Sequence, residues 1–179
     1  MGITKEAAIW MLCALVAAAA GFTDWRSRRI PNWLTVSGSL LGIVVNAAVW
    51  GWAGVKSSLL GMVLGLAVLL PFVLVRSLGA GDWKLVGAVG AFFGPGQLIV
   101  VLFATILVAG VMALILIVLK GRVLQTLRNC GRMLMAFVQF HLPGPELSLD
   151  NPEALKIPFG VAAAIAVVLY TVGHVWGVA

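Results

Sequence analysis

Six acidic residues stand in this 179-residue chain, and two of them sit where a carboxylate can do chemistry. Asp24 lies in Phe22-Thr23-Asp24-Trp25-Arg26-Ser27-Arg28-Arg29-Ile30-Pro31-Asn32, and Asp82 lies in Gly79-Ala80-Gly81-Asp82-Trp83-Lys84. Each adjoins an apolar run and a backbone-breaking Gly or Pro. Glu6 is near the N-terminus, while Glu146, Asp150 and Glu153 fall in a Pro-containing stretch. An ionised group at mid-bilayer costs about 2.5–3.5 kcal/mol on insertion scales, so an acid at the end of an apolar run is a functional candidate by default. Taken singly, each has an ordinary reading. Asp24 reads as a solvated acid paired with Arg26 or Arg28. Asp82 reads as a helix N-cap, with the flanking glycines permitting a tight turn. Taken together they offer more. Two adjacent carboxylates do not both ionise readily, and a pair sharing one proton can hold a water, deprotonate it and polarise a carbonyl. That is aspartic-peptidase chemistry, which needs no metal and no cofactor. A helix N-terminus at Asp82 would favour it as the ionised member, although the titration of such a dyad belongs to the pair.

The elements that must position these acids are apolar helices. Hydrophobic residues make up 62% of the chain and charged residues 10%, against about 45–50% and 25% in a soluble domain. With a mean hydropathy of +1.11, the chain reads as an all-α polytopic membrane protein. A span needs about 20 apolar residues. Six candidates follow: Ala7–Phe22, Trp33–Trp50, Ser57–Val75, Trp83–Phe93, Gln97–Leu119 and Ile157–Trp176. The fourth is short and Gly-rich and is expected to start or end within protein. Pro31-Asn32, Gly51 to Lys56, Gly79-Ala80-Gly81, Gly94-Pro95-Gly96 and Lys120 to Lys156 separate them. The first run resembles a signal peptide, but Glu6 cancels Lys5, so the run reads as a retained span. Residues 1–179 read as one membrane-embedded domain.

Charge sorts the spans. With the N-terminus outside, Arg26, Arg28, Arg29, Arg76, Lys84, Lys120, Arg122, Arg128, Arg132 and Lys156 fall inside, and Lys5 and Lys56 outside. Ten against two predicts N-out and C-out, with both acids at one depth on the cytoplasmic side. Gly61-x-x-x-Gly65 and Gly90-x-x-x-Gly94 would let the third and fourth spans approach closely and draw the acids together.

The remaining signals are structural. Within residues 120–156, Arg122, Gln125, Arg128, Asn129 and Arg132 form a polar stripe opposite Leu124, Leu127, Leu134 and Val138. This is the pattern of a cytoplasmic amphipathic helix lying on the membrane surface. Pro143 to Pro152 reads as an irregular connection. Asn46, Gln97 and Thr105 read as interhelical hydrogen-bonding groups. His174 and the seven Trp residues read as interfacial, with Trp25 and Trp83 each following a candidate acid. Cys13 and Cys130 form no metal-binding pair. The basic residues are scattered between apolar runs, which argues against nucleic acid as a partner. The Arg26, Arg28 and Arg29 cluster suits topology and contact with anionic lipid.

These motifs resemble the type IV prepilin peptidase family, whose members are GxGD aspartic peptidases. Gly79-Ala80-Gly81-Asp82 matches the GxGD motif, with Lys84 beside it. Asp24-x-Arg-x-x-x-Ile-Pro-Asn resembles the family's first block, through Pro31 and Asn32. Ile157-Pro158-Phe159-Gly160 resembles the start of its last span. The resemblance implies a plasma-membrane endopeptidase facing the cytoplasm, with Asp24 and Asp82 as the catalytic aspartates. Gly79, Gly81, Lys84, Pro31, Asn32, Pro158 and Gly160 would be supporting motif residues. The implied substrate is a prepilin or pseudopilin whose apolar segment lies in the bilayer. Larger members carry paired CxxC cysteines and also N-methylate their product. This chain has no CxxC, so methyl transfer is not expected, and the short form resembles the Tad, Flp-type pilus peptidases. Archaeal preflagellin peptidases are the nearest alternative. A proton-coupled transporter would instead favour midplane acids and inverted repeats, and a non-catalytic secretion-system scaffold would tolerate loss of either Asp.

Overall fold

A computed structural model describes residues 5–75, 77–121, 123–124, 126, 128–129, 131, 135 and 157–175. The described residues form four helices and no strand: α1 (Lys5–Ser27), α2 (Asn32–Leu74), α3 (Ala80–Leu119) and α4 (Phe159–Val175). The first three are long and apolar enough to cross a membrane, and α4 is a shorter apolar helix. The amphipathic helix and irregular connection expected within 120–156 lie outside the described residues, apart from isolated positions at their start.

Four expected spans emerge as two broken helices. Within the 43-residue α2, Gly51 takes φ 59° and ψ −139°, and within the 40-residue α3, Gly94 takes φ 70° and ψ 178°. Both lie in the left-handed half of the map, where only glycine is unstrained. The break at Gly51 turns the chain back on itself. A Cβ at Gly54 would collide with the backbone carbonyl of Asn46, eight residues earlier, although those positions stand about 12 Å apart in a straight helix. The separation expected over Gly51 to Lys56 is therefore confined to one residue. Pro95 follows Gly94 and opens the second arm, where its missing N–H costs nothing.

The first arm of α3 is the centre of the bundle. Leu85 through Gly94 are all buried, as an all-round apolar helix requires, in line with the expectation that this run starts or ends within protein. Around it pack Trp10, Cys13, Ala17 and Ala20 of α1, and Ala163 and Val167 of α4. The α2–α3 interface is the most extensive. The two GxxxG pairs are among its glycines: a Cβ on either Gly61 or Gly90 would strike the other's backbone carbonyl. Asn46 locks the same interface, its buried amide donating to the carbonyls of Ala91 and Phe92 at 3.1 Å each. Thr105 departs from expectation. It is buried, but its hydroxyl bonds Val101 O one turn back in its own helix at 2.7 Å. Two of the Trp residues have partners within the bundle. Trp10 is buried and stacks on Phe93, and the Trp83 indole N–H pegs α3 to α2 through Leu66 O at 2.7 Å.

Candidate active site

Asp24 lies in the last turn of α1, inside the helix rather than beyond it. The helix stops because Arg28 adopts a left-handed φ of 53° while its N–H still reaches Asp24 O at 2.8 Å. For a non-glycine residue that conformation costs about 1–2 kcal/mol. Ile30 and Pro31 then lead into α2, whose N-cap is Pro31 and whose first residue is Asn32.

The solvated reading of Asp24 fails. The residue is 6% exposed. Its Oδ2 accepts the backbone N–H of Gly160 at 2.9 Å, while the next N–H, that of Val161, bonds Pro158 O at 3.1 Å. Gly160 is in the first turn of α4, which begins at Phe159 just after Pro158. Helix starts leave such N–H groups without an intrahelical partner and carry partial positive charge. An aspartate from α1 thus caps α4 from outside, across 136 positions of sequence. Glycine at 160 is required by space, since a Cβ there would stand 3.0 Å from both the Cβ and Oδ2 of Asp24.

Asp82 enters from the other side. The N-cap of α3 is Gly79, in an extended conformation, and Asp82 sits three residues inside. The expected N-cap role therefore belongs to Gly79. From its position Asp82 reaches back and accepts the Gly79 N–H, as the acidic residue of a capping box does. Gly81 abuts Ile30, with its Cβ position 3.2 Å from Ile30 Cβ. Lys84, one turn further, donates to Asn32 Oδ1 at 2.9 Å and ties the start of α3 to the start of α2.

The result is one cavity of about 310 Å³, lined by Asp24, Arg28, Arg29, Ile30 and the Gly79–Asp82 turn. The charge of Asp24 acts on Asp82 across it, and Arg28 acts electrostatically on Asp24. All seven supporting motif residues adjoin this end of the bundle. Pro158 and Gly160 position Asp24, Gly79 and Gly81 carry Asp82, and Pro31, Asn32 and Lys84 join the two halves. His174, by contrast, stacks on Tyr170 and meets Trp10 edge-on at the other end of α1. Among the described residues no cluster of His, Cys, Asp or Glu could hold a metal ion.

A family model, the Type IV leader peptidase family, matches residues 10–114. The chain belongs to this family. Both Asp24 and Asp82 lie within the matched region, and membership makes the protein a leader peptidase with a prepilin-like substrate. No curated protein and no solved structure matches the chain. Sequence reasoning missed two features of the site. One is the capping of α4 by Asp24, for which the sequence signal was an α4 start without its own Ser, Thr, Asn or Asp cap. The other is the Lys84–Asn32 bond, which has no local signature.

Proposed function

We propose that this family member is a membrane-embedded aspartic endopeptidase that removes the N-terminal leader from type IV prepilins, of the Flp or Tad type, at the cytoplasmic membrane face. The observation that carries the reading is the shared cavity of Asp24 and Asp82. Two carboxylates brought together from different helices at one end of an apolar bundle match the needs of water activation, not of a midplane transport site.

In this reading the pair holds one proton and one water. The ionised carboxylate takes a proton from the water as its oxygen attacks the scissile carbonyl. The protonated carboxyl hydrogen-bonds the carbonyl oxygen and stabilises the developing oxyanion. Collapse of the tetrahedral adduct breaks the C–N bond, and the leaving amine takes a proton from the dyad. The pair ends with the one proton it began with. Asp24, bonded by the Gly160 N–H at a helix start and facing the Arg28 guanidinium, is the better-stabilised anion, so it is assigned as the base and Asp82 as the acid. This reverses the assignment expected from an N-cap at Asp82.

The breaks at Gly51 and Gly94 divide the described helices into six arms, which we read as six spans with both termini outside. The first turn of α1 and the Gly51 region border one common hollow, away from the carboxylates. That arrangement agrees with Lys5 and Lys56 sharing the outer side.

The test is leader removal by the purified protein. A Flp-type prepilin is incubated with wild type and with Asp24→Asn and Asp82→Asn, and a gel shift reports the shortened product. Loss in wild type and none in either variant is expected. Cleavage that survives in both variants overturns the dyad. Cleavage of a preflagellin but not a prepilin reassigns the substrate to the archaeal type.

A further inference from the structure

Two apolar hollows lie on the outside of the bundle next to the carboxylate cavity. The larger, about 570 Å³, runs between α1 and α4. Its floor is made of small residues, Ala18 and Gly21 of α1 and Ala164 of α4. Its rims are Phe22, Trp25 and Leu169, which are 66%, 75% and 61% exposed. The smaller, about 350 Å³, lies between Trp25, Arg28, Pro158 and the last turns of α3 at Met112 and Leu116.

Shared residues put these spaces in order. Trp25 borders both apolar hollows. Arg28 borders the smaller hollow and the carboxylate cavity. The three therefore form one series around the end of α1, apolar at Ala164 and charged at Arg28. A floor of Gly and Ala lets another helix backbone approach closely, as small residues do between membrane helices. Val161 to Leu169 on α4 span about 12 Å, roughly two helical turns. A lipid chain would need only the apolar walls. The continuity with two carboxylates argues for a polypeptide that leaves an apolar helix as an extended strand and runs on to a hydrolytic site.

We propose that the α1–α4 groove seats the apolar segment of the protein substrate, and that the chain passes Trp25 and Arg28 to reach Asp24 and Asp82. The proposal rests on the peptidase reading and adds the exosite that presents the leader. Seating in this groove contributes to substrate binding and not to the chemical step, so its loss appears in KM.

The experiment uses the full chain in detergent, with Cys130→Ser leaving the buried Cys13 as the sole native thiol. Val168→Cys places a thiol in the groove, and Ile106→Cys places one on the exposed face of α3. Each is treated with a bismaleimide and a Flp-type prepilin carrying one cysteine in its apolar segment. Cross-linking at Val168→Cys is expected to exceed that at the more exposed Ile106→Cys by about ten-fold or more. In parallel, Ala18→Phe, which fills the groove, is expected to raise KM for the prepilin by about ten-fold or more while kcat stays within about two-fold. Equal cross-linking at both sites, or an unchanged KM in Ala18→Phe, overturns the groove and leaves it to lipid. Cross-linking without cleavage by wild type overturns the peptidase reading and keeps the groove. Cleavage without selective cross-linking overturns the groove alone.

Discussion

The backbone N–H of Gly160 points at Oδ2 of Asp24 from 2.9 Å, and that one bond joins the last described helix, α4, to the end of α1. It makes the stability of α4 and the placement of a candidate catalytic group the same structural fact. A methyl group on Gly160 would press on Asp24 at 3.0 Å, so Asp24 must yield by a few tenths of an ångström. Gly160→Ala is expected to lower kcat for leader removal by roughly ten-fold with little change in KM, because catalytic geometry is lost faster than binding. Steady-state cleavage kinetics check this. Unchanged kcat would mean that Asp24 is not in the chemistry.

The two aspartates differ in what else they hold. Asp24→Ala strands the Gly160 N–H at the start of α4, at a cost of about 1–3 kcal/mol. Asp24→Asn keeps an acceptor oxygen and costs less. Asp24→Ala should therefore lower the unfolding temperature in detergent more than Asp24→Asn, while both abolish cleavage. Thermal unfolding followed by circular dichroism separates the two effects. Equal unfolding temperatures would remove the capping role.

Catalysis by a carboxylate pair requires one shared proton. Cleavage is expected to follow a bell against pH, because the doubly ionised pair has no acid and the doubly protonated pair has no base. The two limbs belong to the pair and not to either residue. A kcat profile measured over the range in which the protein stays folded checks this. A profile with only one limb would point to a single titrating group.

Lys84 and Asn32 clamp the two ends that flank the cavity with an exposed 2.9 Å hydrogen bond. Asn32→Ala should cost about 0.5–1.5 kcal/mol and reduce cleavage a few-fold. Asn32→Asp, which restores an acceptor for the Lys84 ammonium, should recover most of both. Failure of Asn32→Asp to recover activity would show that Asn32 acts in another way.

Glycines of this bundle fall into two groups that mutation should separate. Gly61→Ala drives a methyl group into the Gly90 carbonyl and is expected to destabilise by about 1–3 kcal/mol. Gly110 lies in α3 with nothing within 4 Å of its Cβ position. There Ala should be neutral or stabilise the helix by up to about 1 kcal/mol. Unfolding temperatures of the two variants, measured side by side, test this ordering.

Much of this site is legible in the amino-acid sequence. Composition demanded apolar helices, because so few charges cannot cover a water-facing surface. The glycine and proline breaks were legible because a left-handed φ or a missing N–H is a property of the residue itself. Asp24 and Asp82 stood out because acids beside apolar runs are costly wherever the chain goes. Only the tertiary structure decided what the acids touch. Asp24 meets α4 across 136 positions and Lys84 meets Asn32 across 52, and pairings at such separations leave no periodicity to read. The same limit hid the burial of Trp10, the peg at Trp83 and the inward turn of Thr105. A polar or aromatic residue in an apolar run has the same sequence context whether it faces lipid, its own helix or a neighbour. Its partner is chosen by the packing of the whole bundle.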